Sequence, residues 1–321
     1  MKIDQAARSS IRLFLGPLRG FAHLELSAFR EVTPDDRAKW AAAQLEKVCD
    51  DGGAVIALRD EEGLLGVAGA RQLAFDTEHF GLSMGRIGPF LLAARATPAD
   101  GRALARACGE QLTGAGVHFI DCRVPTADLV AARALEAAGF YLGDTQADYA
   151  FRVRGSVIPS VSNEVKLRYA APADGPALEA LTRETFTGYL DRFHRDPFFD
   201  AARATEMYVQ WTANSLAGLA DAILVAEIDG RIGGFLTLEI KHRQNEVVPV
   251  RFAEGVLAGV APWTRGRGVY TSLLAGSLPW FAAHCDIGLV VTQIDNVAVQ
   301  SAWVGLGYRL VQGRYTFHWR E

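Results

Sequence analysis

From Val260 to Leu274 the sequence reads VAPWTRGRGVYTSLL. Two arginines alternate with two glycines between a proline and an amphipathic run. A tight turn inside a core needs one glycine and has no use for adjacent cations, so the spacing points to an anion. Gly266 and Gly268 let backbone N–H groups turn towards a ligand, and the helix that follows adds the positive end of its dipole. Arg265 and Arg267 supply charge around that nest. Such a set suits a pyrophosphate, although a solvated basic turn has the same composition. It is not a Walker loop, because no Gly-Lys-Ser/Thr follows. Nor is it the dinucleotide pattern G-x-G-x-x-G, because Thr271 stands at the third glycine position.

The elements that must hold this loop are legible around it. RFAEGVLAGV before it reads as a strand, and YTSLLAGSLPWFAAHC after it has apolar residues at helical spacing. Further upstream, AVIALRDEEGLLGVAGARQL and AILVAEIDGRIGGFLTLEI each alternate, turn and alternate again, as hairpins do, with turns at Glu61-Glu62-Gly63 and Asp229-Gly230. Gly66 and Gly233 fall at matching points, 233 − 66 = 167 positions apart. ARALEAAGFYLG likewise matches QSAWVGLGYRLV, and Gly139 and Gly307 are 307 − 139 = 168 apart. Two features in register at nearly one offset indicate a duplicated α/β unit.

A chain of 321 residues accommodates two domains of roughly 150 residues each. Glycine, proline and serine gather in RVRGSVIPSVSNEV, so the expected domains are 1–155 and 164–321. Each reads as a mixed, mostly antiparallel sheet flanked by helices, an α/β (α+β) arrangement. With a net charge of −4 the chain carries no general nucleic-acid footprint. Cys49, Cys108, Cys122 and Cys285 are scattered and suggest neither a zinc site nor a disulfide framework. No metal is expected. The N-terminus lacks the pattern of a secretion signal and no stretch is long and apolar enough for a membrane span, so a cytoplasmic protein is expected.

The loop resembles the acyl-CoA signature [QR]-x-x-G-x-[GA] of the GCN5-related N-acetyltransferases. Arg265, Gly266, Arg267, Gly268 and Val269 match, and Tyr270 departs from the last place. Asn296 to Tyr308 is similar to the family's second motif, N-x(6)-Y-x(3)-G-[FY]. Asn296, Gly307 and Tyr308 fit, with Trp303 where tyrosine is usual. The resemblance implies two tandem domains of that fold and acetyl-CoA as co-substrate. It implies that the backbone near Gly259 and Val260 bonds the pantetheine, and that residues 265–270, Asn296 and Trp303 complete the CoA site. Shifting the loop back by 168 lands on TPADGR, where Pro98 and Asp100 replace Gly266 and Gly268. The first domain is thus expected to be degenerate, without a CoA loop, and to shape a substrate cleft.

AFDTEHFGLSMGRI resembles the W-D-[ST]-x-x-F-G segment of the dTDP-fucosamine acetyltransferase group, with Phe75 for tryptophan. DRFHRDPFFD, with Tyr208 and Trp211 beyond it, resembles that group's R-F-x-x-D-P and Y-x-x-W segments. The implied acceptor is the amine of a nucleotide-linked amino sugar. Phe75, Asp76, Phe80, Arg192 and Asp196 become substrate candidates, with Arg192 or Arg195 for a diphosphate. Their plain readings are core aromatics and an i,i+4 pair between Arg192 and Asp196. Direct attack of the amine requires a base, for which Glu254 stands in line, or else a salt-bridged glutamate. Tyr270 and Tyr308 are candidates to protonate the leaving thiolate. An acyltransferase acting on another small amine, or a non-catalytic acyl-CoA sensor, fits the same motifs. A monomer or homodimer without nucleic-acid or membrane partners is expected.

Overall fold

The computed structural model describes residues 1–153 and 165–321. Most of the stretch read as the boundary, residues 154–164, lies outside the described residues. The chain falls into two compact units: Met1–Gln146 with Glu246–Pro249 and Gln312–Glu321, and Ala147–Asn245 with Val250–Val311.

The first unit contains β1 (Lys2–Ala6), α1 (Leu15–Leu18), α2 (Pro34–Asp50), β2 (Ala54–Asp60), β3 (Gly63–Gln72), α3 (Ala74–Phe80), β4 (Met84–Leu92), α4 (Pro98–Thr113), β5 (Phe119–Pro125) and α5 (Leu129–Ala137). β6 (Tyr141–Arg152) runs from this unit into the second. There follow β7 (Lys166–Tyr169), α6 (Gly175–Phe186), α7 (Ala201–Asn214), β8 (Ala222–Ile228), β9 (Arg231–Ile240), α8 (His242–Asn245), β10 (Phe252–Val260), α9 (Val269–His284), β11 (Ile287–Gln293) and α10 (Val297–Gly305). β12 (Arg309–Arg320) returns to the first unit. Both hairpin turns stand where the alternation puts them. A cut at 155 misses the exchange of last strands, because alternation marks a strand without naming its neighbour.

Within the first unit the strand order is β1-β2-β3-β4-β5-β12, and within the second it is β7-β8-β9-β10-β11-β6. The pairs β1–β2, β2–β3, β3–β4, β5–β12, β7–β8, β8–β9 and β9–β10 run antiparallel, and β4–β5 and β10–β11 run parallel. The first core gathers Leu58, Ile87, Leu104, Ile120 and Phe317, and the second gathers Phe281, Leu273, Leu274, Trp303 and Tyr308.

The duplication is visible bond by bond. Leu73 N–H donates to Met84 O at 2.8 Å, and Lys241 N–H donates to Phe252 O at 3.0 Å. Ala93 N–H reaches Leu65 O at 2.8 Å, and Ala261 N–H reaches Gly233 O at 2.9 Å. Thr77 Oγ1 accepts from Met84 N at 2.9 Å, where Asn245 Oδ1 accepts from Phe252 N at 2.7 Å. Every pair is related by 168, so the partner of Gly66 is Gly234 (234 − 66 = 168) rather than Gly233. Steric contact agrees: a Cβ on Gly66 would lie 3.2 Å from Leu91 O, and one on Gly234 would lie 3.2 Å from Gly259 O.

Candidate active site

In the second unit β10 pairs with β11 only from Phe252–Ile287 to Gly255–Val290. Its pairing with β9 continues to Val260–Gly234, past a bulge between Gly255 and Ala258. The two parallel strands therefore part after Gly255, and the stretch holding Gly259 and Val260 keeps a strand on one side only. A backbone that has lost a sheet partner presents N–H and C=O groups to an extended ligand, the geometry of strand addition.

The loop Arg265 to Gly268 follows directly. Gly266 and Gly268 have φ of 78° and 70°, and a Cβ on either would meet nothing within 4 Å. The left-handed backbone, not crowding, requires glycine there. Gly268 caps α9 without a side-chain bond, and the first turn holds no acidic residue. The N–H groups of that turn have no intrahelical acceptors, so they remain available to an anion. Arg265 is exposed, and Arg267 pairs with Asp229 of the β8–β9 turn at 3.3 Å. Asn296 caps α10 without a side-chain bond to the helix and instead donates to Thr292 Oγ1 at 3.0 Å.

The matching places in the first unit are closed. β4 and β5 also part, after Ile87–Cys122. At the start of α4, however, Asp100 accepts from Thr97 N at 2.9 Å and Thr97 Oγ1 accepts from Asp100 N at 3.3 Å, a full capping box. Asp128, the counterpart of Asn296, caps α5 through Ala131 N at 2.9 Å. The protein's own carboxylates occupy both helix starts.

The remaining candidates separate clearly. Glu254 on β10 is ion-paired with Lys241, and the same lysine lies 3.9 Å from Glu239. Directly opposite on β9 stands Glu239, which the sequence reading passed over. Burial, with Glu254 and Asp221 nearby, lifts its carboxyl above the ordinary range against the pull of Lys241. A carboxylate with a raised pKa is the better proton acceptor. Tyr270 accepts a hydrogen bond from Trp303 Nε1 at 2.9 Å, and burial raises its phenol pKa. Tyr308 is 2% exposed and packs against Phe151 at 5.2 Å, so it belongs to the core. Trp303 is equally buried and has Tyr149 at 5.2 Å.

Of the acceptor candidates, Phe75, Asp76 and Phe80 belong to the first unit, and Arg192 and Asp196 to the second. Phe75 is 39% exposed, but Phe80 is 8% exposed and packs as core, because α3 turns it inward. Residues 191–197 form turns rather than a helix, so Arg192 and Asp196 do not sit in the i,i+4 geometry of a helix. Arg192 lies over the Phe193 ring at 4.2 Å, and Asp196 is buried and accepts from Phe198 N at 3.1 Å. Arg195 is paired with Asp295.

That loop is organised by Asp191, a residue without a role in the sequence reading. It accepts from Phe193 N and His194 N at 2.8 Å each, from His194 Nδ1 at 3.0 Å and from the Tyr208 hydroxyl. His194 Nε2 meets Thr205 Oγ1 at 3.1 Å. Although burial opposes ionisation, bonds from His194 and Tyr208 hold Asp191 below the ordinary carboxylate range. Tyr189, three residues before Arg192, reaches Gln293 at the end of β11 at 2.6 Å. Asp191→Ala is expected to lower stability by about 3 kcal/mol, measured by urea unfolding, since it strands several buried donors. The sign of the pH effect follows. A depressed native pKa contributes stability above the unfolded pKa, and that contribution is lost as pH falls through the native value. The wild type should therefore lose its advantage over Asp191→Ala in acid.

No family model matches the sequence. The spore coat polysaccharide biosynthesis protein SpsD of Bacillus subtilis (strain 168) is 26% identical over 208 residues, which are 62% of this chain and 66% of that one. The match thus spans just under two thirds of the relative's length. Among solved structures, a GCN5-related N-acetyltransferase from Sphaerobacter thermophilus superimposes with a TM-score of 0.65 at 13% identity, covering 99% of this chain and 95% of that one. A tandem protein of the same fold from the clavulanic acid biosynthesis pathway gives 0.59 at 14% identity, over 99% and 98% of the two chains. The fold is that of the GCN5-related N-acetyltransferases, present twice in tandem. Among the described residues no helix is long and apolar enough to cross a membrane, and no group of three or more metal-ligating side chains occurs.

Proposed function

We propose that the protein transfers an acetyl group from acetyl-CoA to the amine of a nucleotide-linked amino sugar. The observation that carries the CoA half of this reading is the uncapped start of α9 behind Arg265–Gly268, beside strands that part, while the equivalent start of α4 is filled by Asp100. The acceptor half is supported by the first unit's FDTEHFG segment and by the likeness to a protein named for polysaccharide biosynthesis.

On this reading the parted edge of β10 aligns the pantetheine, and the α9 N-terminus with Arg265 and Arg267 holds the pyrophosphate. The amine must shed a proton before or as it attacks the thioester carbon. Glu239 is the group to receive it, directly or through water, while Glu254 beside it is paired with Lys241. Phe75 and Asp76 are assigned to the sugar nucleotide. The route is direct transfer, without an acyl-enzyme.

The test is thiol release from acetyl-CoA with dTDP- and UDP-amino sugars alongside aminoglycosides, amino acids and polyamines. Turnover confined to the nucleotide sugars is the expected result. Turnover confined to another amine class overturns the acceptor assignment. CoA binding with no turnover on any amine leaves a sensor.

A further inference from the structure

The offset of 168 lets each side chain near the parted strands be compared with its counterpart. In the second unit Glu239 stands opposite Glu254 across β9 and β10. The counterparts are residues 239 − 168 = 71 and 254 − 168 = 86, and Arg71 likewise stands opposite Arg86 across β3 and β4. Two carboxylates have become two guanidiniums at the same register positions. A site that faces an ammonium in one unit cannot do so in the other.

The arginines are held differently. Arg86 Nε and Nη2 each lie 2.6 Å from an oxygen of Asp121, which is 1% exposed. This fork fixes the guanidinium plane and leaves the Nη1 edge outside it. Arg71 has a looser pairing with Asp51 at 3.7 Å, and 32% of its side chain is exposed. After burial, the charge of Arg86 is the largest influence lowering the Arg71 pKa, and Asp76 acts favourably on both arginines. Asp121, Asp51 and Asp76 already face the paired cations, and the guanidinium edges left outside those pairings match phosphate oxygens in shape and charge. Next to Asp76, Phe75 offers an exposed ring stacked on His79 at 6.2 Å.

We propose that the first unit's paired arginines, Arg71 and Arg86, bind a phosphate or diphosphate group, with Phe75 against the attached ring and Asp76 towards hydroxyls. The inference rests on the nucleotide-sugar reading and moves its anion from Arg192 to the strands of the degenerate unit.

The experiment uses the full chain saturated with CoA, so that the α9 loop is filled, and titrates inorganic pyrophosphate and dTDP calorimetrically. Both are expected to bind, dTDP more tightly because of its ring. Arg71→Gln should weaken each by about tenfold or more with CoA affinity unchanged. Arg86→Lys keeps a cation for Asp121 but loses the fork, and should weaken both anions as well. Failure of both anions to bind the CoA-saturated wild type, or wild-type affinity in Arg71→Gln, overturns the site. If nucleotide amino sugars are acetylated with one KM by wild type and Arg71→Gln, the acceptor reading stands and the site falls. If no nucleotide sugar reacts while pyrophosphate binding depends on Arg71, the site stands and the acceptor reading falls.

Discussion

Gly268→Asp is expected to abolish acyl-CoA binding, and Asp100→Gly to leave it unchanged at one equivalent per chain. The two substitutions exchange what separates the units, since 268 − 168 = 100. A carboxylate at 268 would stand at the α9 N-terminus, where the unpaired N–H groups and the helix dipole attract any negative charge. It would both take those donors and repel a pyrophosphate. The residue is exposed and a Cβ there meets nothing within 4 Å, so the fold should survive with only the modest cost of a left-handed non-glycine residue. Asp100→Gly opens a capping box and should lower stability by about 1 kcal/mol. It does not create a phosphate loop, because Pro98 still removes one donor. Calorimetry on the wild type giving two CoA equivalents per chain would contradict the whole distinction between the units.

The capping contrast was legible in the sequence because helix starts are governed by local residue types. Hairpin turns and the repeat were legible for the same reason, down to an error of one position in the offset at Gly233. Register was not. Glu239 opposes Glu254, and Arg71 opposes Arg86, only once the bulges of β10 and β4 are placed, and no short window of sequence fixes a bulge. The exchange of final strands was hidden for a related reason, since β6 and β12 look alike and either could close either sheet. Asp191 escaped notice because its partners His194 and Tyr208 come together through a turn of irregular backbone. Phe80 and Asp196 were marked by motif position, and only burial reveals them as supports.

Tyr270→Phe is expected to lower kcat by about a hundredfold, the lower end of what general acid catalysis contributes, with KM for acetyl-CoA nearly unchanged. The sequence places tryptophan at 303 where the resemblance calls for tyrosine, and tyrosine at 270 where it calls for glycine or alanine. The structure joins the two departures, because Trp303 Nε1 donates to the Tyr270 oxygen at 2.9 Å. An indole N–H is a donor only, so the Tyr270 oxygen is the acceptor and its own proton must point to another group. Burial keeps that phenol protonated, as a donor to a departing thiolate must be. Trp303→Phe should cost less, since it removes the orienting bond but not the proton. Tyr308→Phe should leave kcat close to wild type, because that ring sits in the core. If Tyr270→Phe folds normally and turns over at the wild-type rate, the thiolate leaves unassisted, and the pairing of Tyr270 with Trp303 is packing alone.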